Sequence, residues 1–189
     1  MSSDLAQTLR RIKPEKRVAA LKPRDLSSLA FLGRTSRVPS KLLYDTTVYI
    51  DILQGRFPRD AEVFLRATDA WHSTVTDAEL VAAIGFLDPK HPDTAKVVKH
   101  ITETIERRPT HRTIAPDREL WLEAGVLSGL LARLQDYGAA DRRRALNDAL
   151  LFATARKHGL TVLTRNTKDF DLLQQLEPAC GVLFYEQSR

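Results

Sequence analysis

One stretch, residues 141–171, limits the possible folds of this chain more than any other. Between Ala145 and Ala155 nearly every residue is apolar, and the two exceptions are Asn147 and Asp148. Because a helix that is apolar on all sides is buried, this pattern predicts that Asp148 lies in the interior or on the wall of a cleft. A buried carboxylate without a partner is costly, so Asp148 needs a cation or several hydrogen-bond donors.

A strand and a turn are predicted directly after this helix. Gly159 predicts the end of the helix, because glycine commonly occupies the first position past a helix. The segment 160–164 is typical of a short buried strand, and Arg165–Asn166 is typical of a turn into another helix. Polar residues therefore stand at the carboxyl end of a strand, where open α/β sheets place their sites.

Strands and helices alternate along the rest of the chain. The pattern predicts strands at 41–45, 71–75, 160–164 and 182–185, a short extended piece at 113–115, and helices at 47–54, 58–69, 76–85, 91–107 and 116–135. This alternation indicates an α/β fold in which a parallel sheet has helices on both sides.

Composition excludes several classes of protein. No apolar run reaches the roughly 18–20 residues that a membrane span needs, and the amino terminus lacks the apolar core of a signal peptide. One cysteine, Cys180, cannot form an intramolecular disulfide or a cysteine-based zinc cluster. This usage is typical of a cytoplasmic protein, and we expect Cys180 to be a small buried apolar residue.

The positive charge is concentrated near the amino terminus. Residues 1–41 hold ten of the 29 Lys and Arg residues and three of the 24 Asp and Glu residues, a net +7, and the remaining 19 basic and 21 acidic residues give −2. We therefore predict a basic N-terminal extension, 1–40, and one folded domain, 41–189. Two interpretations of the extension stay open: a footprint for phosphates, or a solvated tail or arm packed on an acidic partner.

Acidic and amide side chains recur where the predicted strands end: Asp45, Glu79, Asp148, Asn166 and Asp169. Parallel strands end on the same side of a sheet, so these side chains can converge. Carboxylates within a few ångström repel one another, and one would take up a proton unless a cation lay among them. Oxygen ligands without cysteine suit Mg²⁺ or Mn²⁺, and such ions activate water in phosphodiester cleavage.

Each of these residues also has a purely structural interpretation. Asp45 would cap the helix that follows it, and Glu79 would form a capping box with Thr76. Asp148 would pair with Arg143 or Arg144. Asn166 would cap the last helix, with Asp169 in the first turn of that helix. Asp51 would be either a surface residue or a support for the site.

Three segments resemble the motifs of the PIN domain family. They are Leu42–Asp51, a hydrophobic strand followed by Asp45-Thr46-Thr47; Ser73–Leu80, with Glu79 before a leucine; and Asn147–Ala155, followed by Gly159–Asn166 and Asp169-Phe170. In detail they are similar to VapC-type ribonuclease toxins of bacterial toxin–antitoxin pairs. The resemblance covers residues 41–186, and its third motif is the most specific.

The resemblance implies a small three-layer α/β/α fold with a central parallel sheet of four to five strands. It implies a metal-dependent endoribonuclease that uses Mg²⁺ (or Mn²⁺), acts on RNA, forms a homodimer and is neutralised by a cognate antitoxin. By position, Asp45, Glu79 and Asp148 would bind metal. The family's fourth acid falls at Asn166, which can ligate through its carbonyl, or Asp169 can substitute. Thr47 and Thr164 would assist the pocket.

Two other functions stay open at this level. Asn166 in place of an acid is compatible with a catalytically weakened PIN-like module that binds RNA or protein. The basic extension, which is not typical of the short toxins, is compatible with a housekeeping RNA-processing nuclease.

Overall fold

The structure, a computed structural model, describes residues 4–35 and 39–188. Residues 1–3 and 36–38 of the predicted extension, and residue 189, lie outside the described residues. The helices are α1 (Asp4–Ile12), α2 (Thr46–Leu53), α3 (Arg59–Arg66), α4 (Thr74–Gly85), α5 (Thr94–Glu106), α6 (Arg118–Gln135), α7 (Ala139–His158) and α8 (Thr167–Leu176). The strands are β1 (Lys41–Tyr44), β2 (Asp69–Ser73), β3 (Thr113–Ile114), β4 (Thr161–Thr164) and β5 (Gly181–Phe184).

The five strands form one parallel sheet in the order β3-β2-β1-β4-β5. Strand β1 lies at the centre, where Leu43 pairs with Trp71 of β2 on one side and with Val162 of β4 on the other. The chain therefore reverses its direction of winding beside β1, which places a crevice at the carboxyl ends of β1 and β4.

Two apolar cores cover the two faces of the sheet. Leu43, Val162 and Phe184 point to one face and pack with α6, α7 and α8. Leu42 and Leu163 point to the other face and pack with residues of α2, α3, α4 and α5. Because side chains alternate along a strand, each strand supplies both cores. The predicted three-layer α/β/α fold with four to five parallel strands is confirmed.

Several predicted boundaries differ from the observed ones. Strand β2 runs over Asp69–Ser73 rather than 71–75, and α4 begins at Thr74 rather than at residue 76. The Ser73 hydroxyl caps α4 by accepting from the Val75 N–H at 3.2 Å. The sequence 73–76 offers three hydroxyl residues that can cap a helix, and the pattern alone selects the wrong one. Helices α3, α5 and α6 are also shorter than predicted.

The α7 helix follows its prediction closely. It is buried over most of Ala145–Ala155 and ends at Gly159, whose φ of 64° is the left-handed conformation that glycine adopts easily. Cys180 is buried as predicted, and burial raises the pKa of its thiol to about 12.

The described part of the N-terminal segment packs against the folded domain. Ile12 at the end of α1 is fully buried among the residues of the α6–α7 core. Phe31 forms a parallel bridge with Phe184 of β5, and the Leu32 N–H donates to the Phe184 carbonyl at 2.7 Å. The segment thereby covers the free edge of β5. Within residues 4–35 and 39–188, no helix is long and apolar enough to cross a membrane.

Candidate metal and catalytic site

Asp45 lies directly after β1 and is the N-cap of α2. Its Oδ1 accepts from the Thr46 N–H at 2.7 Å. Its Oδ2 accepts from the hydroxyls of Thr47 at 2.7 Å and Thr164 at 2.6 Å. Burial raises the pKa of Asp45 despite these hydroxyl bonds, and the charge of Glu79 raises it further. The carboxylate that caps α2 therefore also lies near Glu79.

Glu79 is not part of a capping box, and that interpretation was wrong. The Thr76 hydroxyl donates to the Ser73 carbonyl at 2.8 Å instead. Because α4 begins at Thr74, Glu79 lies in its second turn. One of its oxygens accepts from the Thr46 hydroxyl, and the other accepts from the Asn147 amide at 2.7 Å. Helix α4 thus presents Glu79 to the start of α2 and to the middle of α7.

Asp148 is the most perturbed of the acids. It is 8% exposed, and its pKa is raised well above the usual value, first by burial and then by Asp45, Asp169 and Glu79. No ion pair joins it to Arg143 or Arg144 within the described residues, although the charge of Arg144 lowers its pKa. The three acids that raise its pKa come from three other elements, so the structure brings all four carboxylates to one place.

Asn166 connects two of the carboxylates. It is the N-cap of α8, and its Oδ1 accepts from the Asp169 N–H at 3.2 Å. Its Nδ2 donates to Asp148 Oδ2 at 3.1 Å and to Asp169 Oδ2 at 3.0 Å. The predicted cap role of Asn166 and the first-turn position of Asp169 are confirmed. Because Oδ1 is held by the backbone, the amide donor and not the carbonyl faces the acids.

The remaining predicted residues lie beside this cluster. Thr47 and Thr164 orient Asp45, as described above. Asp51 is fully buried, so its surface interpretation was wrong. It accepts from Arg165 Nε at 2.9 Å and from the Tyr185 hydroxyl at 2.7 Å. The Arg165 N–H in turn donates to the Thr47 hydroxyl at 3.2 Å, which links Asp51 to the pocket through Arg165.

Three residues to which the sequence analysis gave no role in the site contact the acids directly. The Tyr137 hydroxyl donates to Asp169 Oδ1 at 2.6 Å, the Asn147 amide donates to Glu79, and the Thr46 hydroxyl donates to Glu79. Tyr137 lies in the break between α6 and α7. Asn147 was noted as one of two polar residues in an apolar helix, and that signal could have identified it.

Two basic clefts open onto the cluster. One, of about 370 Å³, is lined by Thr47, Asp141, Arg144, Arg165, Asn166, Thr167, Lys168 and Asp169. The other, of about 550 Å³, is lined by Glu79, Ala139, Ala140, Arg143, Arg144 and Asn147. Arg144 lines both clefts. Acids at the base and exposed cations at the rim are an arrangement that suits a polyanion whose backbone must reach a divalent ion.

The four carboxylates supply the oxygen ligands that a hard divalent ion prefers, but their present positions do not surround a single ion. No group of three or more His, Cys, Asp or Glu side chains stands ready to hold a metal in residues 4–35 and 39–188. Every carboxylate oxygen of the four acids accepts a hydrogen bond from a described residue except Asp148 Oδ1. An oxygen-only donor set with mutual repulsion and one open oxygen suits Mg²⁺ or Mn²⁺.

The fold and the site define a parallel α/β domain with an acidic pocket at the carboxyl edge of its sheet. Residues 42–175 match the family model described as PIN domain, and this chain belongs to the PIN domain family. The family predicted from the motifs is therefore confirmed. PIN domains are generally nucleases.

Solved structures with the same fold come from bacterial toxin–antitoxin complexes. The DNA-bound VapBC of Salmonella typhimurium matches with 18% identity over 77% of this chain and 98% of that chain, at a TM-score of 0.54. FitAcB of Neisseria gonorrhoeae matches with 22% identity over 75% and 96%, at 0.52. VapBC-5 of Mycobacterium tuberculosis, a member of the VapBC family of toxin–antitoxin systems, matches with 20% identity over 78% and 99%, at 0.50.

These identities are low, and the likeness shows the shared fold. The comparison with curated proteins gives no match.

Proposed function

We propose that this protein is a metal-dependent endoribonuclease that cleaves RNA phosphodiesters and acts as the toxin of a toxin–antitoxin pair. The observation that carries the proposal is the convergence of three carboxylates, Asp45, Glu79 and Asp169, on a fourth, Asp148, whose pKa is raised by its burial and by these three charges. Family membership and the fold shared with VapBC and FitAB complexes support it.

In this proposal each residue has a defined task. Asp45, Glu79 and Asp148 hold Mg²⁺ or Mn²⁺, and Asp169 orients or deprotonates the attacking water. The bound ion supplies Lewis-acid activation of water and stabilises the leaving oxygen. The hydroxyls of Thr47 and Thr164 keep Asp45 oriented.

Cations at the rim would hold the phosphates on either side of the cleaved bond. Arg143 and Arg144 lie at the start of α7, one to two turns before Asp148, and are exposed. Arg165 lies on the opposite side of the first cleft, where its bond to Asp51 limits its movement. Charge at these positions attracts a nucleic-acid backbone without reading its sequence.

A protein partner is part of the proposal. Helix α2 exposes Ile52, helix α4 exposes Val81, and Phe86, the residue directly after α4, is 88% exposed. Exposed large apolar side chains on neighbouring elements are commonly covered by another protein. We propose that a cognate antitoxin binds this chain and that the chain forms a homodimer.

The decisive experiment is RNA cleavage by purified protein with Mg²⁺, Mn²⁺ or EDTA. We expect cleavage of single-stranded RNA with either ion, none with EDTA, and a loss of about a thousandfold or more in Asp148→Asn, because an essential ligand is gone. Glu106→Gln, which removes one exposed acid that lines neither cleft, is the control and should cleave normally. Equal cleavage by Asp148→Asn and Glu106→Gln would refute the assignment.

A second experiment separates a toxin from a housekeeping nuclease. Induced expression of the active chain in a bacterium should arrest growth, and expression of Asp148→Asn should not. Normal growth with active enzyme would favour RNA processing. RNA binding without cleavage under any metal condition would favour the binding-module alternative.

A further inference from the structure

The side-chain amide of Asn166 lies between two carboxylates of the pocket. Its Nδ2 is 3.1 Å from Asp148 Oδ2 and 3.0 Å from Asp169 Oδ2. An amide NH₂ has two hydrogens and can donate one to each oxygen. At this point the amide reduces the repulsion between two like charges, which is the effect that a cation would have there.

The orientation of this amide is fixed on its other side. Asn166 Oδ1 accepts from the Asp169 N–H, and the Asn166 N–H donates to the Thr164 hydroxyl at 2.9 Å. A rotated amide would place its NH₂ against the Asp169 N–H and its carbonyl against Asp148. Such a rotation would remove the N-cap of α8 and both carboxylate bonds together. In this orientation the carbonyl of Asn166 faces the Asp169 N–H and not the space between Asp148 and Asp169.

Asp169 is held in the same arrangement. The Tyr137 hydroxyl occupies its Oδ1 and the amide occupies its Oδ2. Asp148 differs, because its Oδ2 accepts from Asn166 while its Oδ1 accepts no hydrogen bond from any described residue. The open oxygen of Asp148 is thus the one that does not face Asn166.

We propose that this pocket binds a single divalent ion, held by Asp45, Glu79 and Asp148, and that the Asn166 amide excludes a second ion from the space between Asp148 and Asp169. An Mg²⁺ ion there would need its oxygens at about 2.1 Å. The amide NH₂, a donor without a lone pair, lies between Asp148 Oδ2 and Asp169 Oδ2, so an ion that bridges these two oxygens would have to displace it. The inference rests on the proposed function in one respect, since it takes the acids as metal ligands.

The test is the stoichiometry of Mn²⁺ alone. Metal-free protein is titrated with MnCl₂ while free Mn²⁺ is measured by electron paramagnetic resonance and heat by calorimetry. We expect one ion per chain in the wild type and two in Asn166→Asp, because the new carboxylate replaces the donor with a ligand. Gln54→Glu adds the same charge at an exposed position outside the pocket and should bind one ion.

Two ions in the wild type, one ion in a folded Asn166→Asp, or two ions in Gln54→Glu would each overturn the inference. Circular dichroism establishes whether the variants fold. A second measurement needs no variant: at excess Mn²⁺ the bound ion in the wild type should give the spectrum of an isolated ion. Ions paired at about 3.5–4 Å, as in two-metal sites, would give a spin-coupled spectrum, and that result would also overturn it.

The outcomes separate this inference from the proposed function. Two bound ions together with RNA cleavage would remove the inference and leave the nuclease. One bound ion without cleavage would remove the nuclease and leave the inference. Failure of the wild type to bind Mn²⁺ at all would remove both.

Discussion

Asp148 is a side chain whose charge the folded protein disfavours. It lies in the mainly apolar stretch Ala145–Ala155 of α7, and burial, followed by neighbouring acids from three other elements, raises its pKa. In the described structure it has one hydrogen-bond donor, the Asn166 amide, and no ion pair. A carboxylate that existed only for stability would have more partners than this.

Stability should therefore rise when this charge is removed. In metal-free protein near neutral pH, we expect Asp148→Asn to raise the melting temperature by about 2–4 °C, which corresponds to about 1 kcal/mol for a domain of this size. The reason is that the amide has nearly the same shape without the charge that burial disfavours. Differential scanning calorimetry in EDTA tests this, with Glu106→Gln as the unchanged control. A lower melting temperature for Asp148→Asn would show that its charge stabilises the fold.

His72 is a second residue whose charge the fold disfavours. Burial, with Arg108 and Arg112 nearby, lowers its pKa from 6.5 to about 4. Its Nδ1 lies 2.5 Å from the Tyr49 hydroxyl, so the neutral ring can accept from Tyr49. Between these two pKa values the unfolded chain binds a proton that the folded chain does not. The free energy of unfolding therefore loses the contribution of His72 as the pH falls from about 6.5 towards 4.

The measurement is a comparison of two variants across that range. Nuclear magnetic resonance should show the His72 ring titrating near 4. His72→Gln should lose less stability than the wild type between pH 7 and pH 5. Asp45, Asp77 and Asp148, whose pKa values are raised, act in the opposite sense, so the difference between the proteins and not the total slope carries the test. Identical slopes in both proteins would contradict the prediction.

At the scale of elements, arginines of the N-terminal segment form ion pairs with acidic side chains of the folded domain. Arg11 pairs with Glu123 and with Glu177, each at 2.8 Å, and Arg24 pairs with Asp171 at 2.5 Å. All three acids are at least 94% buried at their side chains. Of the two interpretations that the sequence left open for this segment, these contacts favour an arm packed on acidic partners.

Loss of Arg11 should consequently destabilise the protein. Glu177 would lose its ion-pair partner and Glu123 would keep only Arg156. We expect Arg11→Met, which keeps the apolar stem, to cost about 1–2 kcal/mol, less than a fully buried pair because Arg11 is 35% exposed. Arg107→Met removes an exposed pair with Glu103 and should change stability by less than about 0.5 kcal/mol. Urea unfolding measures both, and equal effects would contradict the interpretation.

The sequence predicts elements with long apolar patterns better than it predicts their ends. The buried part of α7 over Ala145–Ala155 and its buried acid follow from the run of apolar residues, because burial on all sides leaves few alternatives. The start of α4 does not follow, since Ser73, Thr74 and Thr76 can all cap a helix and only tertiary packing selects Ser73. The Tyr137 contact with Asp169 joins residues 32 positions apart, and no local pattern reports it.

At the scale of the whole molecule, the positive charges occupy two kinds of position. Arg11 and Arg24 of the N-terminal segment pair with buried acids, whereas Arg143 and Arg144 are exposed beside the pocket. The net charge of +5 does not distinguish these two groups. Under the proposed function, the exposed cations beside the pocket are the ones that attract RNA.

We expect RNA binding to depend on the exposed cations beside the pocket and not on those of the N-terminal segment. In EDTA, we expect the double change Arg143→Ala/Arg144→Ala to weaken binding of a single-stranded RNA about tenfold and to reduce the salt slope by about 1.4, since two phosphate contacts are lost. Lys16→Ala/Lys22→Ala, which removes two exposed cations from the N-terminal segment, should change neither. Fluorescence anisotropy at several salt concentrations measures the slopes. A larger effect of the lysine pair would assign the phosphate footprint to the extension instead.

The hydrogen bond from the Thr164 hydroxyl to Asp45 joins residues 119 positions apart, and Asp169 is supplied by a helix later still. During synthesis, the ribosome must therefore release nearly the whole polypeptide before the acids can meet. Phe31, which is synthesised early, pairs with Phe184 of β5, which is synthesised near the end. The N-terminal segment therefore cannot make this contact until β5 has been synthesised. Under the proposed function, a nascent chain that still lacks Asp169 would have an incomplete acidic pocket.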